Sequence, residues 1–269
     1  MMSKVNVIVA GCCGKMGRQI IEVLLQDAEV LIKGVFEHPR NSNLGRSFKE
    51  VFGQDLPLFI EKDVARVAAA GDVIIDFTER ESTLNTLRIA EQARCKMVIG
   101  TTGLQESEMQ ELKRIAQRTA LVQAPNMGIG VNLLLDVVER MSTLLKEEYN
   151  IEVWEMHHNQ KKDAPSGTAL ALAEAAAQGR GTSLKGVAVH GRQGITGARK
   201  QNEIGIHSLR GGDVVGEHGV IFAGPGEKIE IRHSVSSRSV FANGALLAAK
   251  FLQKKDKGFF TMQEVLGIK

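Results

Sequence analysis

The sequence predicts an α/β fold: a doubly wound parallel sheet in the first half, then a second α+β unit on a four-stranded mixed sheet. Three observations carry this. A short apolar run passes through a glycine turn into a helical pattern near the start. Four more apolar runs follow, each ending in small or polar residues and separated by helical periodicity. After Gly128 the character changes to alternating runs joined by glycine turns. Repeated strand–helix units bury parallel strands on both faces, and ligands then gather at the strand carboxyl ends.

Val5 to Ala10 is the first predicted strand, running into Gly11-Cys12-Cys13-Gly14-Lys15-Met16-Gly17 and then RQIIEVLLQ. Glycines allow a tight turn and close backbone approach to a pyrophosphate, and the helix N-terminus faces that charge. This is a Rossmann-type arrangement, although the spacing is G-x-x-G-x-x-G. Glu29 to Phe36 is a second strand ending at Glu37, an acid placed to accept from an adenosine ribose. Gly71 to Phe77, Met97 to Ile99 and Ala120 to Gln123 follow as strands. The last two end in Gly100-Thr101-Thr102-Gly103 and Ala124-Pro125-Asn126-Met127-Gly128. Cys12 and Cys13 read as small fillers beside a bound phosphate.

Gly128 to Lys146 has helical spacing. Ile151 to His158 alternates like a strand, which puts His157 on the face of Ile151, Val153 and Glu155 and His158 on the other. Adjacent histidines on opposite faces, without a third ligand at a familiar spacing, predict no metal site. The run HHNQKKDAPSGT, His157 to Thr168, then leads into an Ala-rich helix starting near Ser166. Its first turn offers unpaired N–H groups to a carboxylate. Lys161 and Lys162 add charge, and His157 or His158 can move protons near neutral pH. Together they describe a pocket for a small anion that undergoes proton transfer. A charged surface loop ahead of a helix is the alternative. The Gly-rich Val189 to Gln201 reads as irregular, and Glu203 to Leu209, Val214 to Phe222 and Lys228 to Ser234 as strands. Phe241 to Gln253 closes the pattern as an apolar helix.

Composition narrows the function classes. Of 269 residues, 43% are hydrophobic and 24% charged, ordinary for a soluble globular chain. A net charge of only +3, without a basic run, argues against nucleic acid as a partner. No stretch reaches membrane-spanning length, so no membrane is expected and the cytoplasm is the default location. Cys12, Cys13 and Cys95 form no even framework and read as reduced thiols.

With the glycine loop, GTTG, APNMG, HHNQKKDAPSGT and EIGIHSLRGGDVVGEH in this order, the chain resembles the 4-hydroxy-tetrahydrodipicolinate reductases of the diaminopimelate–lysine pathway. The resemblance covers essentially the whole chain, and the block Glu155 to Thr168 is its most specific part. It implies a dinucleotide-binding domain over 1–127, a substrate-binding and oligomerisation domain over 128–239, and a helix over 240–269 returning to the first. It implies that Gly11, Cys12, Cys13, Gly14, Lys15 and Met16 wrap the pyrophosphate and that Glu37 binds the adenosine ribose. Gly100, Thr101 and Thr102, with Ala124, Pro125, Asn126 and Met127, then flank the nicotinamide. His157 is implied as acid/base and Lys161 as proton donor. His158, with Ser166, Gly167 and Thr168, is implied to hold the substrate's carboxylates.

The implied activity is nicotinamide-dependent reduction of hydroxy-tetrahydrodipicolinate, a cyclic imine dicarboxylate, to tetrahydrodipicolinate, by a homotetramer. Many members carry Arg where this chain has Lys15, and a basic residue after the ribose-binding acid where it has His38, followed by Pro39 and Arg40. An Arg clamps a 2′-phosphate bidentately and a neutral His does not. Glu37 favours NADH, while Lys15, His38 and Arg40 can partner the NADPH phosphate, so use of both NADH and NADPH is expected. Two other readings stand beside this one: another amino-acid-pathway dehydrogenase of the same architecture, and a non-enzymatic redox-sensing nucleotide-binding regulator.

Overall fold

The computed structural model describes residues 4–268. The expected domain limits at residues 1 and 269 lie outside the described residues. The chain divides into two units, 1–129 with 238–267, and 130–237. Elements run in the order β1 Val5–Ala10, α1 Lys15–Leu25, β2 Val30–Phe36, α2 Phe48–Phe52, β3 Ile60–Glu61, α3 Val64–Ala68, β4 Val73–Asp76, α4 Arg80–Ala93, β5 Lys96–Ile99, α5 Glu106–Ile115 and β6 Ala120–Gln123. Then come α6 Ile129–Leu145, β7 Asn150–His157, α7 Gly167–Gly179, α8 Leu184–Val187, β8 Ala188–His190, β9 Ile204–Arg210, β10 Gly216–Gly224 and β11 Glu227–Val235. The chain ends with α9 Ser239–Gln253, β12 Gly258–Phe260 and α10 Met262–Val265. No helix among the described residues is long and apolar enough to cross a membrane.

The first unit is a seven-stranded parallel sheet ordered β12-β6-β5-β4-β1-β2-β3. Its apolar runs are continuous because both faces are covered. Val7 and Val9 point into a cluster with Ile20, Ile21 and Leu24 of α1 and Ala245 and Ala249 of α9. Ile8 and Ala10 point the other way, into a cluster with Val67, Leu87 and Leu112. The two edge strands β3 and β12 were not expected. They have two and three residues, too few to show a period.

The second unit is a five-stranded mixed sheet ordered β11-β10-β7-β9-β8, one strand more than the four expected. The addition is β8, at the start of the stretch expected to be irregular. It pairs in parallel with β9, and Gly191 at φ +67° ends it. β7 is parallel to β9 and antiparallel to β10. Its burial alternates strictly, with Ile151, Val153, Glu155 and His157 inward, under α7.

The outward face of β7 carries Glu152, which organises the rest of that irregular stretch. Its carboxylate accepts from Arg192 (3.0 Å twice), Arg199 Nε (2.9 Å) and His207 (2.7 Å). Burial alone would raise this acid, but hydrogen bonds from Arg192, His207 and Arg199 outweigh it and bring it down to about 2. The sign follows from linkage. An acid depressed in the fold contributes stability above its ordinary value of 4.5 and loses it as pH falls through about 2. Urea titrations between those limits should therefore show a steep loss of stability in the native chain and a flatter one in Glu152→Gln. Parallel pH dependence in the two would show that the pair is not energetically coupled to folding.

Candidate active site

The glycine loop sits at the carboxyl end of β1. Gly11 has φ +60°, and a Cβ there would lie 2.7 Å from Thr78 Cγ2. A Cβ on Gly17 would lie 2.2 Å from Gly11 O, so only glycine lets α1 start flush against the loop. Glu37 closes the far side. Its carboxylate accepts from Cys13 N (2.8 Å) and His38 N (2.8 Å). Each oxygen keeps a lone pair for a further donor. A cavity of about 550 Å³ is lined in part by Gly11, Gly14, Glu37, His38, Lys62 and Thr78. Backbone cradle, acid and helix start are what a dinucleotide requires, so these residues fit one.

A second cavity of this unit, about 250 Å³, is lined by Met16, Phe77, Gly100, Pro125, Asn126, Met127, Arg238 and Phe241. Gly100 is needed there because a Cβ would come within 2.2 Å of the Phe77 ring. Thr101 and Thr102 line a third cavity together with Thr78 and Arg80. The structure thus gathers most of the predicted cofactor residues. Cys12 and Ala124 are instead buried in the core, and Lys15 lies exposed on the first turn of α1 outside these cavity walls. Beneath the loops lies Asp76, fully buried. Its Oδ1 accepts from Thr78 N (2.8 Å), Thr78 Oγ1 (2.6 Å) and Thr83 Oγ1 (3.1 Å), and Thr83 reaches Thr101 at 2.7 Å. Burial raises the Asp76 carboxyl against these bonds.

In the second unit the His157–Thr168 block is built around Glu155, which has no exposed surface. Arg210 forks onto it at 2.8 and 2.9 Å, His157 Nδ1 lies at 2.5 Å, and Ser166 N donates at 3.2 Å. Burial pushes the Glu155 carboxyl up, but Arg210, His157 and Ser208 together bring it below the usual range. It is therefore an anion, so Nδ1 carries the imidazole proton and Nε2 is left as the reactive nitrogen. His157 is in register with Arg210 across the β7–β9 pair, which fixes this geometry in the backbone.

Ser166 caps α7, its Oγ accepting from Ala169 N at 3.2 Å and meeting His218 Nε2 at 3.2 Å. His218 stacks edge-on against His157 with centroids 5.1 Å apart. Burial first, then the neighbouring His157 and His233, lowers His218 to about 4, so it is neutral at neutral pH. Gly167 is exposed at the first turn of α7, with nothing within 4 Å of where a Cβ would lie. Lys161 is bound at 2.9 Å by both oxygens of Asp163, which that contact holds below the usual carboxylate range. His158 leaves the strand, its N–H donating to Val214 O at 2.7 Å. Lys162 is exposed.

Sequence reasoning assigned no role to Glu155, Arg210, His218, Lys62 or Phe77. For Glu155 the signal was present, since period-two alternation puts it on the face of His157. Arg210 becomes its neighbour only through a parallel pairing across 54 intervening positions, which no local spacing reveals.

Comparison with known proteins bears on the same residues. The family description "Dihydrodipicolinate reductase, N-terminus" matches residues 5–127, and "Dihydrodipicolinate reductase, C-terminus" matches residues 130–266. A 4-hydroxy-tetrahydrodipicolinate reductase of Polynucleobacter necessarius is 44% identical over 98% of this chain and 99% of its own. One from Nitrosomonas europaea is 42% identical over the whole of both. Among solved structures, a dipicolinate-bound dihydrodipicolinate reductase of Paenisporosarcina sp. TG-14 matches with TM-score 0.77 and 23% identity, covering 97% of this chain and 98% of that one. A DAP dehydrogenase of C. glutamicum shares the fold more distantly, with TM-score 0.56 and 13% identity over 98% and 94%. Both halves of the family description and full-length identity above two-fifths agree, and the chain belongs to the dihydrodipicolinate reductase family of oxidoreductases.

Proposed function

We propose that this chain is a nicotinamide-dependent reductase that converts 4-hydroxy-tetrahydrodipicolinate to tetrahydrodipicolinate in lysine and diaminopimelate biosynthesis. The observation that carries the reading is the buried Glu155–His157 pair, held beside the exposed N-terminus of α7. It joins an anion-binding helix start to an oriented acid/base.

When bound, the reduced coenzyme supplies a hydride. Gly11, Gly14 and Met16 would hold its pyrophosphate, with Lys15 adding charge at the start of α1, and Glu37, with His38, would hold its adenosine ribose; the Cys12 and Cys13 amides are already taken by Phe36 O and Glu37. Gly100, Thr101, Thr102 and Pro125 to Met127 would flank its nicotinamide, with Ala124 packed in the core behind them. The N–H groups of Gly167 and Thr168, with His158, hold the substrate's carboxylates, and Ser166 fixes the helix start behind them. Negative charge develops on the ring nitrogen during reduction, and Lys161 delivers a proton there. For this Lys161 exchanges Asp163, a largely exposed partner, for the substrate dianion. His157 serves as acid/base through Nε2. A homotetramer acting in the cytoplasm completes the reading, on the strength of the family resemblance.

The test is coenzyme oxidation by this chain with the cyclic imine and, separately, with aspartate semialdehyde. Turnover confined to the cyclic imine supports the proposal, and turnover confined to the semialdehyde overturns it.

Coenzyme choice follows from the 550 Å³ cavity, where Glu37 faces a ribose diol and Lys62 and His38 can meet a 2′-phosphate. Both coenzymes should be used, with kcat/KM within roughly a hundredfold, or about 2.7 kcal/mol. NADPH use should weaken more with salt, and Lys62→Ala should lower NADPH use more than NADH use. An inactive coenzyme in steady-state assays would contradict this.

The exposed start of α7 makes a second prediction. Pyridine-2,6-dicarboxylate should compete with substrate, and the monocarboxylate should bind more weakly by about 1.5–3 kcal/mol, one charge-assisted contact. Equal inhibition constants would rule out a two-carboxylate pocket.

The third prediction separates chemistry from support. Lys161→Ala and His157→Ala should each lower kcat roughly 10²–10⁴-fold, with KM rising more for Lys161. Lys162→Ala should be milder. Glu155→Ala should also destabilise the fold by about 3–5 kcal/mol, because it leaves Arg210 unpaired. Coenzyme binding should change little in all four, as measured by fluorescence titration. Near-normal turnover in Lys161→Ala would move the proton donor elsewhere.

A further inference from the structure

The thiols of two adjacent cysteines inside the glycine loop have no part in the proposed reaction. Their sulfurs lie 3.9 Å apart, Cys12 buried and Cys13 half-buried. Two Zn–S bonds of 2.3 Å at the tetrahedral angle set sulfurs about 3.8 Å apart. A carboxylate oxygen of Glu37 completes a set in which all three donor atoms lie within 4.8 Å of one another. The loop itself fixes that carboxylate, through Cys13 N and His38 N. Asn43 Nδ2 stands 3.7 Å from Cys13 Sγ, a donor suited to a thiolate. Glu37 and Cys13 are both half-buried, so solvent reaches the cluster from their side.

We propose that Cys12, Cys13 and Glu37 form a binding site for a soft divalent cation, Zn²⁺ or Cd²⁺, whose occupation excludes the dinucleotide. The exclusion rests on the reading of Glu37 as the ribose-binding acid, since a cation drawing on that carboxylate takes the charge and lone pair offered to the ribose hydroxyls. The chemistry is ligand exchange without redox change. Two metal–sulfur bonds form, two thiol protons pass to solvent, and water takes the fourth position. Binding therefore releases protons, and it strengthens steeply as pH rises.

The test uses the full chain and Cd²⁺ alone. Titration followed by the ultraviolet thiolate-to-cadmium absorption should give one ion per chain, with about two protons released in unbuffered solution. Cys13→Ser, at the half-buried position, should lose the band and weaken binding at least about tenfold. Cys95→Ser, remote at the Gly71 carbonyl, should keep it. Reduced-coenzyme affinity by fluorescence should fall in proportion to Cd²⁺ and recover with a chelator. No band, or a band unchanged in Cys13→Ser, overturns the site. A Cys13-dependent band with unchanged coenzyme affinity overturns the exclusion. If Glu37→Gln then also leaves coenzyme affinity unchanged, the fault lies with the ribose reading and not with the metal ligands.

Discussion

Glu155 is a carboxylate without solvent, and the second unit is arranged around keeping it charged. Removing an anion from water costs several kcal/mol unless it is paired and hydrogen-bonded. Arg210 supplies the pairing in bidentate form, and His157 and the Ser166 amide supply the remaining donors. These partners come from two strands and the start of a helix. One charge thereby aligns β7 with β9, anchors the loop that carries Lys161, and sets the tautomer of His157. The energetic cost of burial becomes geometric definition, because each partner is held in one place.

The first unit solves a different problem, with no buried ion pair at its centre among the described residues. Its strands are apolar on both faces, and the polar chemistry is confined to their carboxyl ends. There Asp76 plays a part analogous to that of Glu155 with weaker partners. It gathers the hydroxyls of Thr78 and Thr83, and through Thr83 that of Thr101, below two loops that reach the cavities. Its Oδ2 finds no partner among the described residues, which agrees with a carboxyl biased toward its neutral form. The two units thus present one acid paired with a guanidinium and one held by hydroxyls.

Legibility in the sequence followed the range of the interactions. The five long strands of the first unit and the capped start of α7 rest on local periodicity and capping, and were readable. The same holds for the alternation that turns His157 inward. Strands β3, β8 and β12 exist only because a neighbouring strand offers hydrogen bonds, so nothing local announces them. The family motifs brought His157, Lys161 and the glycine loop forward as chemistry. They carried Arg210 within EIGIHSLRGGDVVGEH but gave it no role, because that role depends on a partner that only the register supplies. Lys62 was silent for the same reason: it reaches the cavity by following a two-residue edge strand.

The return of α9 to the first unit has a consequence for the order in which the chain can mature. One face of the parallel sheet is covered in part by Ala242, Ala245, Ala248, Ala249 and Leu252, beside α1, and Lys250 ties that helix to Asp27 and Glu29. During synthesis, the sheet that packs against them emerges more than a hundred residues earlier. Until the tail leaves the ribosome, an apolar surface stands open beside the glycine loop, while the second unit already holds all of its own strands. The first unit therefore completes its sheet and its core only once α9 and β12 have been made.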